Sequence, residues 1–130
     1  MTGVQTCALP ILLTPNFKMY SIEHDSKFII AGRNTNYIFA PIVDGWYDCA
    51  AIAKGIKDVE YDYVIVDGPT GLIGREGLLK HLDLFNTNVP WIFDDVNRKR
   101  EYVVMDKFCE RIGRSFEIFD SINKKFGVVL

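Results

Sequence analysis

Three apolar runs along this chain each stop on an acid. Tyr63 to Val66 is unbroken and β-rich, the pattern of a strand buried on both faces, and it ends on Asp67 before Gly68-Pro69 turns the chain away. Met19 to Ile22 runs into Glu23, and Val89 to Phe93 runs into Asp94-Asp95. Open α/β sheets bind ligands at the carboxyl ends of their strands. Three acids so placed predict an acidic rim around one crevice.

The remaining pattern alternates between strand and helix. Phe17 to Glu23 reads as a strand, and Asp25 is placed to cap a short helix over residues 26–32. Tyr37 to Val43 reads as a strand whose end Pro41 puts at an edge or bend. Asp44-Gly45 is a turn, and Trp46 to Lys57 a helix with Trp46, Cys49, Ala50 and Ala53 on one face. A loop with glycines at 68, 71, 74 and 77 opens into a helix striped by Leu78, Leu79, Leu82 and Phe85. Arg98 to Ile112 is a helix with Tyr102, Met105, Cys109 and Ile112 inward and Gly113 placed to end it. Phe116 to Phe119 and Phe126 to Leu130 close the chain as a hairpin around Asn123-Lys-Lys125. The expected fold is α/β: a mostly parallel sheet with a C-terminal antiparallel hairpin.

Composition narrows the partners. The 130 residues suit one domain with a sizeable core, and 48% hydrophobic with 25% charged is the balance of a folded globular chain. A formal charge of −2 favours neither a nucleic-acid backbone nor an anionic membrane, and no apolar run approaches the ~20 residues that span a bilayer. Cys7, Cys49 and Cys109 include no C-x-x-C pair, so neither a disulfide framework nor a zinc knuckle follows and a cytoplasmic setting is the default.

The first eleven residues, Met1 to Ile11, resemble the conceptual translation of a common short-read sequencing adapter. A secretory signal fits them poorly, having neither a basic start nor an A-x-A cleavage site here. Residues 1–11 are therefore expected to be an artefactual leader, and residues 12–130 the C-terminal portion of a longer domain.

Taken in order, Tyr-Ser-Ile-Glu-His-Asp25, Val-Asp-Gly-Pro69, Gly-Arg-Glu-Gly77 and Ile-Phe-Asp-Asp95 resemble a bacterial branch of the class I S-adenosylmethionine-dependent methyltransferases. The likeness runs from Phe17 to the end. It implies a Rossmann-like sheet and methyl transfer from S-adenosylmethionine to a small acceptor, at an oxygen rather than a nitrogen. It also implies a first, central strand followed by a glycine-rich loop. Gly3 is the only glycine before Gly32, so the sheet is expected to lack that strand, and the chain to be marginally stable and inactive as it stands.

The resemblance distributes roles along the rim. Glu23 would accept both ribose hydroxyls, since a carboxylate offers two acceptor oxygens. His24 would lie beside the adenine and Asp44 at its edge, although Asp-Gly is also a plain turn. Asp67 would border the sulfonium, and also suits capping of the glycine-loop amides. Asp67 and Asp94 are the candidates for the catalytic side of the pocket. Metal-dependent catechol-type members hold magnesium with acids placed like Asp67, Asp94 and Asp95, a hard oxygen set. Arg98, Lys99 and Arg100 are nearby cations that answer the same acids, so no metal ligand is assigned. Arg98 could alternatively meet an anionic acceptor. A second class stays open: a non-catalytic domain holding a nucleotide or sugar phosphate on the glycine loop, with Arg75 and His81 near it. The loop lacks the Gly-Lys-Ser/Thr ending of a P-loop.

Overall fold

The computed structural model describes residues 18–30 and 35–130, together with the backbone of 2–5. In chain order the elements are β1 (Thr2–Gln5), β2 (Lys18–Glu23), β3 (Thr35–Phe39), β4 (Ile42–Val43), β5 (Trp46–Tyr47), α1 (Cys49–Ile56), β6 (Tyr63–Val66), β7 (Trp91–Phe93), α2 (Lys99–Ile112), β8 (Phe116–Ser121) and β9 (Lys124–Val129). Seven strands form one sheet in the order β3-β2-β1-β6-β7-β9-β8. From β3 through β7 the neighbours are parallel, and β9 then pairs antiparallel with both β7 and β8. This is the mostly parallel α/β sheet with a C-terminal antiparallel hairpin that the pattern predicts, and the Rossmann-like arrangement that the resemblance implies.

The centre of the sheet differs from expectation. Thr2–Gln5 pairs with β2 on one side and β6 on the other, Val4 standing opposite both Tyr20 and Val64. Ladder pairing is a property of extended backbone, so any strand-like segment can satisfy the N–H and C=O groups that an empty place would orphan. The expected vacancy is thus filled from residues set aside as a leader. The two strand edges that were expected to be unpaired are thereby paired. The rest of the leader and residues 6–17 lie outside the described residues.

Several boundaries shift for local reasons. Trp46 and Tyr47 are not the start of a helix but a strand, paired with Val43 and Ile42 across a two-residue turn. Asp44 and Gly45 take φ of 52° and 80°, the left-handed pair such a hairpin needs. Asp48 then caps α1 by accepting from the Ala50 amide at 3.0 Å. The buried face of α1 is Ile52 and Ile56, while Ala50 and Ala53 face outward. Two isoleucines remove more apolar area from water than two alanines, and that orients the helix.

The helix expected after the glycine loop is two short 3₁₀ turns, Glu76–Lys80 and Leu82–Leu84, still burying Leu78, Leu79 and Phe85. The helix over residues 26–32 shortens likewise to a 3₁₀ turn at Ser26–Phe28, capped by Asp25 as predicted. In α2 the inward residues are Val104, Met105, Phe108 and Cys109, and Tyr102 instead lies outside, edge-on to Phe116. Gly113 ends the helix at φ 68°, its amide bonded to the Cys109 carbonyl. Phe108 packs on Trp91 and Phe93 with ring centroids 4.6 and 5.1 Å apart, which fastens α2 to β7. The closing turn is Ile122-Asn123, so Lys124 belongs to β9 and not to the loop. Among the described residues no helix is long and apolar enough to cross a membrane.

Candidate functional site

Parallel strands run in opposite sequence directions from the centre of this sheet, β1-β2-β3 to one side and β6-β7 to the other. Their carboxyl ends share one edge, and the reversal lies between β1 and β6. Ligand crevices of open α/β sheets form at such a reversal.

Glu23 closes β2 at this edge and is 2% exposed. Ser21, two residues earlier on the same strand face, donates to its Oε1 at 2.7 Å. No cation pairs with Glu23 among the described residues. Burial pushes its carboxyl up to about 7, Ser21 pulls the other way, and the Asp67 charge adds a smaller rise. Glu23 and Asp67 therefore share one electrostatic neighbourhood. A crevice beside Glu23 is walled by His24, Phe28 and Tyr47 on one side and Gly68-Pro69-Thr70 on the other. The His24 and Tyr47 rings are tilted at 59° with centroids 6.2 Å apart.

The second cluster closes β6 and β7. Asp67, Asp94 and Asp95 each bring a carboxylate oxygen within 4.8 Å of the others. Asp94 is held to β6 by its amide on the Val66 carbonyl at 3.0 Å. Asp95 sits at φ 58°, a left-handed conformation unusual outside glycine, which turns its carboxylate back toward the strand ends. The cations come from three directions. Arg75, buried under the glycine loop, approaches Asp67 Oδ1 at 3.7 Å and Asp95 Oδ2 at 3.4 Å. Lys124 from β9 reaches Asp94 Oδ2 at 3.3 Å, and Arg98 reaches Asp95 Oδ2 at 3.3 Å.

The sequence-derived candidates thus separate. Glu23, His24, Asp67 and Asp94 gather at one sheet edge. Asp44 sits exposed at the corner of the β4-β5 turn, where its left-handed backbone accounts for the Asp-Gly pair, and it does not line the crevice. Arg98 pairs with Asp95, and Arg100 with Glu76 and the Gly71 carbonyl, while Glu101 is the buried acid of the first turn of α2. His81 stacks on Trp46, with centroids 5.4 Å apart and planes at 10°, and lines neither cluster.

Packing also explains two loop glycines. Gly74 has φ 89°, and a Cβ there would overlap Arg100; a Cβ on Gly77 would overlap Trp46. Neither needs a phosphate to account for it.

Ser21, Arg75 and Lys124 were not singled out as partners of the acids. Ser21 carried a readable signal, since a residue two before Glu23 on a strand shares its face. Arg75 and Lys124 carry none, because Arg75 reaches Asp67 through an irregular loop and Asp95 across 20 residues, and Lys124 reaches Asp94 across 30.

No family model matches this chain, and no curated protein matches it. Among solved structures, a Staphylococcus aureus protein provisionally assigned as a caffeoyl-CoA O-methyltransferase superposes with a TM-score of 0.60 at 10% identity. The match covers 98% of this chain and 74% of that one. At that identity the likeness is one of fold: the Rossmann-like architecture in which class I methyltransferases are built.

Proposed function

We propose that this chain carries the crevice of an S-adenosylmethionine-dependent methyltransferase acting on a small acceptor, at an oxygen. The observation that carries the reading is Glu23: a buried acid one strand from the reversal of the sheet, whose carboxylate, among the described residues, is hydrogen-bonded only by Ser21 and paired with no cation. A buried carboxylate so poorly satisfied is suited to receiving donors, and a ribose presents two hydroxyls together. The lining, rather than the 40 Å³ volume of the crevice, gives a second reason to read an adenosine here. His24, Phe28 and Tyr47 give it aromatic walls, and Pro69 an apolar one.

When bound, the cofactor supplies a methyl group on a positively charged sulfur. The chain's own residues then have three tasks. Glu23, ionised, holds the ribose and fixes where the sulfur lies. Asp67, at the end of β6 on the far side of β1, borders the positive sulfonium. Asp94 borders the acceptor side, its Oδ1 engaged by the Asp95 amide at 2.8 Å and its Oδ2 by Lys124. With the cofactor bound, the chain's part would be to place the acceptor against the methyl donor, and a nearby carboxylate or water would take the acceptor proton.

Titration of S-adenosylhomocysteine into the chain, followed by heat flow, tests this reading. One-to-one binding that falls at least about tenfold in Glu23→Ala is expected, as hydrogen bonds to a charged group are lost. Binding that instead requires a phosphate and is indifferent to Glu23 would assign the fold to nucleotide or sugar-phosphate binding without chemistry.

A further inference from the structure

Three carboxylates within 4.8 Å of one another form a hard oxygen donor set, the kind that takes a divalent cation. They also repel one another in a partly buried place, so the fold must set positive charge among them. Here the chain supplies that charge itself. The Arg75 side chain is 4% exposed and lies against both β-strand ends. Its Nη1 donates to the Asp94 carbonyl at 2.8 Å, and its Nη2 to the Asp67 carbonyl at 3.0 Å. The same Nη2 faces the carboxylates of Asp67 and Asp95. One guanidinium thereby touches all three acidic residues, through a carboxylate, a carbonyl or both.

Arg75 Nε is buried without a partner among the described residues, so the guanidinium is held at its two Nη ends, turned toward the acids. Lys124 closes the remaining side, 3.3 Å from Asp94 Oδ2 and 3.5 Å from Asp95 Oδ1. Arg98 adds a third positive charge from outside, against Asp95. Three acids meet three cations. A divalent ion entering this rim would find its oxygens engaged and fixed positive charges beside it, so the residues present do not fit an added metal.

We propose that Arg75 is the resident cation of the acid rim. With Lys124, it takes the place that a divalent ion would occupy between Asp67, Asp94 and Asp95, and it holds Asp67 at the end of β6 through the Asp67 carbonyl. The site then assembles without a metal. This inference goes beyond the methyl-transfer reading and does not rest on it: cofactor titration reports on the one, and cation binding on the other.

The test is Mn²⁺ titration of the full chain, read from loss of the free-ion paramagnetic resonance signal. The unaltered chain is expected to show no one-to-one site tighter than about 1 mM, because fixed cations oppose the ion at close range. Arg75→Met and Lys124→Ala should each create a one-to-one site at least about tenfold tighter, as one opposing charge is removed. Arg75→Lys, which keeps the charge, should stay silent, and Asp94→Asn added to Lys124→Ala should erase the gain. Lys124 is half exposed, so that variant carries the test even where Arg75→Met does not melt cooperatively. A tight one-to-one Mn²⁺ site in the unaltered chain would overturn the proposal, as would folded variants that gain none.

Discussion

Two strand-end acids a short way apart along one sheet edge live under opposite conditions. Glu23 is buried, answers to one serine hydroxyl and meets no cation among the described residues, and burial pushes its carboxyl up to about 7. Asp67, one strand beyond the centre, sits in a rim where Arg75, Arg98 and Lys124 face the neighbouring carboxylates. Strand position places a carboxylate at the crevice, but its charge partners decide what it does there. An acid left with few donors is fit to receive a ligand's hydroxyls. An acid already matched with cations is fit to shape the pocket wall.

The largest test of that contrast is removal of the buried cation. Arg75→Met should destabilise the chain by about 3–5 kcal/mol in urea unfolding, since it strands carboxylates in a partly buried rim. A loss below about 1 kcal/mol would mean that the rim is solvated like an ordinary surface.

Next comes the pH dependence that belongs to Glu23 alone. Its folded pKa lies above its unfolded value of 4.5, so the native state favours the neutral form. Its contribution is therefore complete below pH 4.5, is lost as pH rises toward about 7, and stays lost above. At about 1.4 kcal/mol per pKa unit, the loss is roughly 3 kcal/mol. Glu23→Gln should remove that slope and be the more stable chain at pH 8. Cofactor affinity should run the other way, rising through pH 7 as Glu23 ionises. Parallel stability curves for the two chains between pH 5 and 8 would contradict the assignment.

A smaller effect is expected at Ser21→Ala. The serine hydroxyl favours the ionised carboxylate, so its loss should move the Glu23 transition to higher pH and cost about 1 kcal/mol above it. The smallest is Arg98→Ala. That side chain is about half exposed and Asp95 keeps both Arg75 and Lys124, so stability should change by less than about 0.5 kcal/mol, falling further at high salt.

The order of elements and the acids at strand ends were legible in the residues themselves. An apolar run that stops on an acid before a glycine is a local pattern, and so is a glycine that ends a helix. Period-two and turn signals need only a few neighbours, and Glu23, Asp67 and Asp94 were found that way. The face of α1 is not legible locally, because Ile52 and Ile56 outweigh the alanines only once a sheet lies beneath them. The central strand is not legible because no glycine-rich motif marks it, whereas backbone pairing asks only for extended chain and Thr2–Gln5 provides it.

The sequence by itself therefore determined the architecture and the row of acids. Only the tertiary structure decided their partners and the raised pKa of Glu23. Arg75 lies 20 residues from Asp95, and Lys124 lies 30 from Asp94. A pairing across such gaps leaves no periodic trace, because it is set by where the sheet and the hairpin bring the ends together. Burial acts in the same way: nothing in Ser-Ile-Glu states how much water the folded crevice will exclude from Glu23.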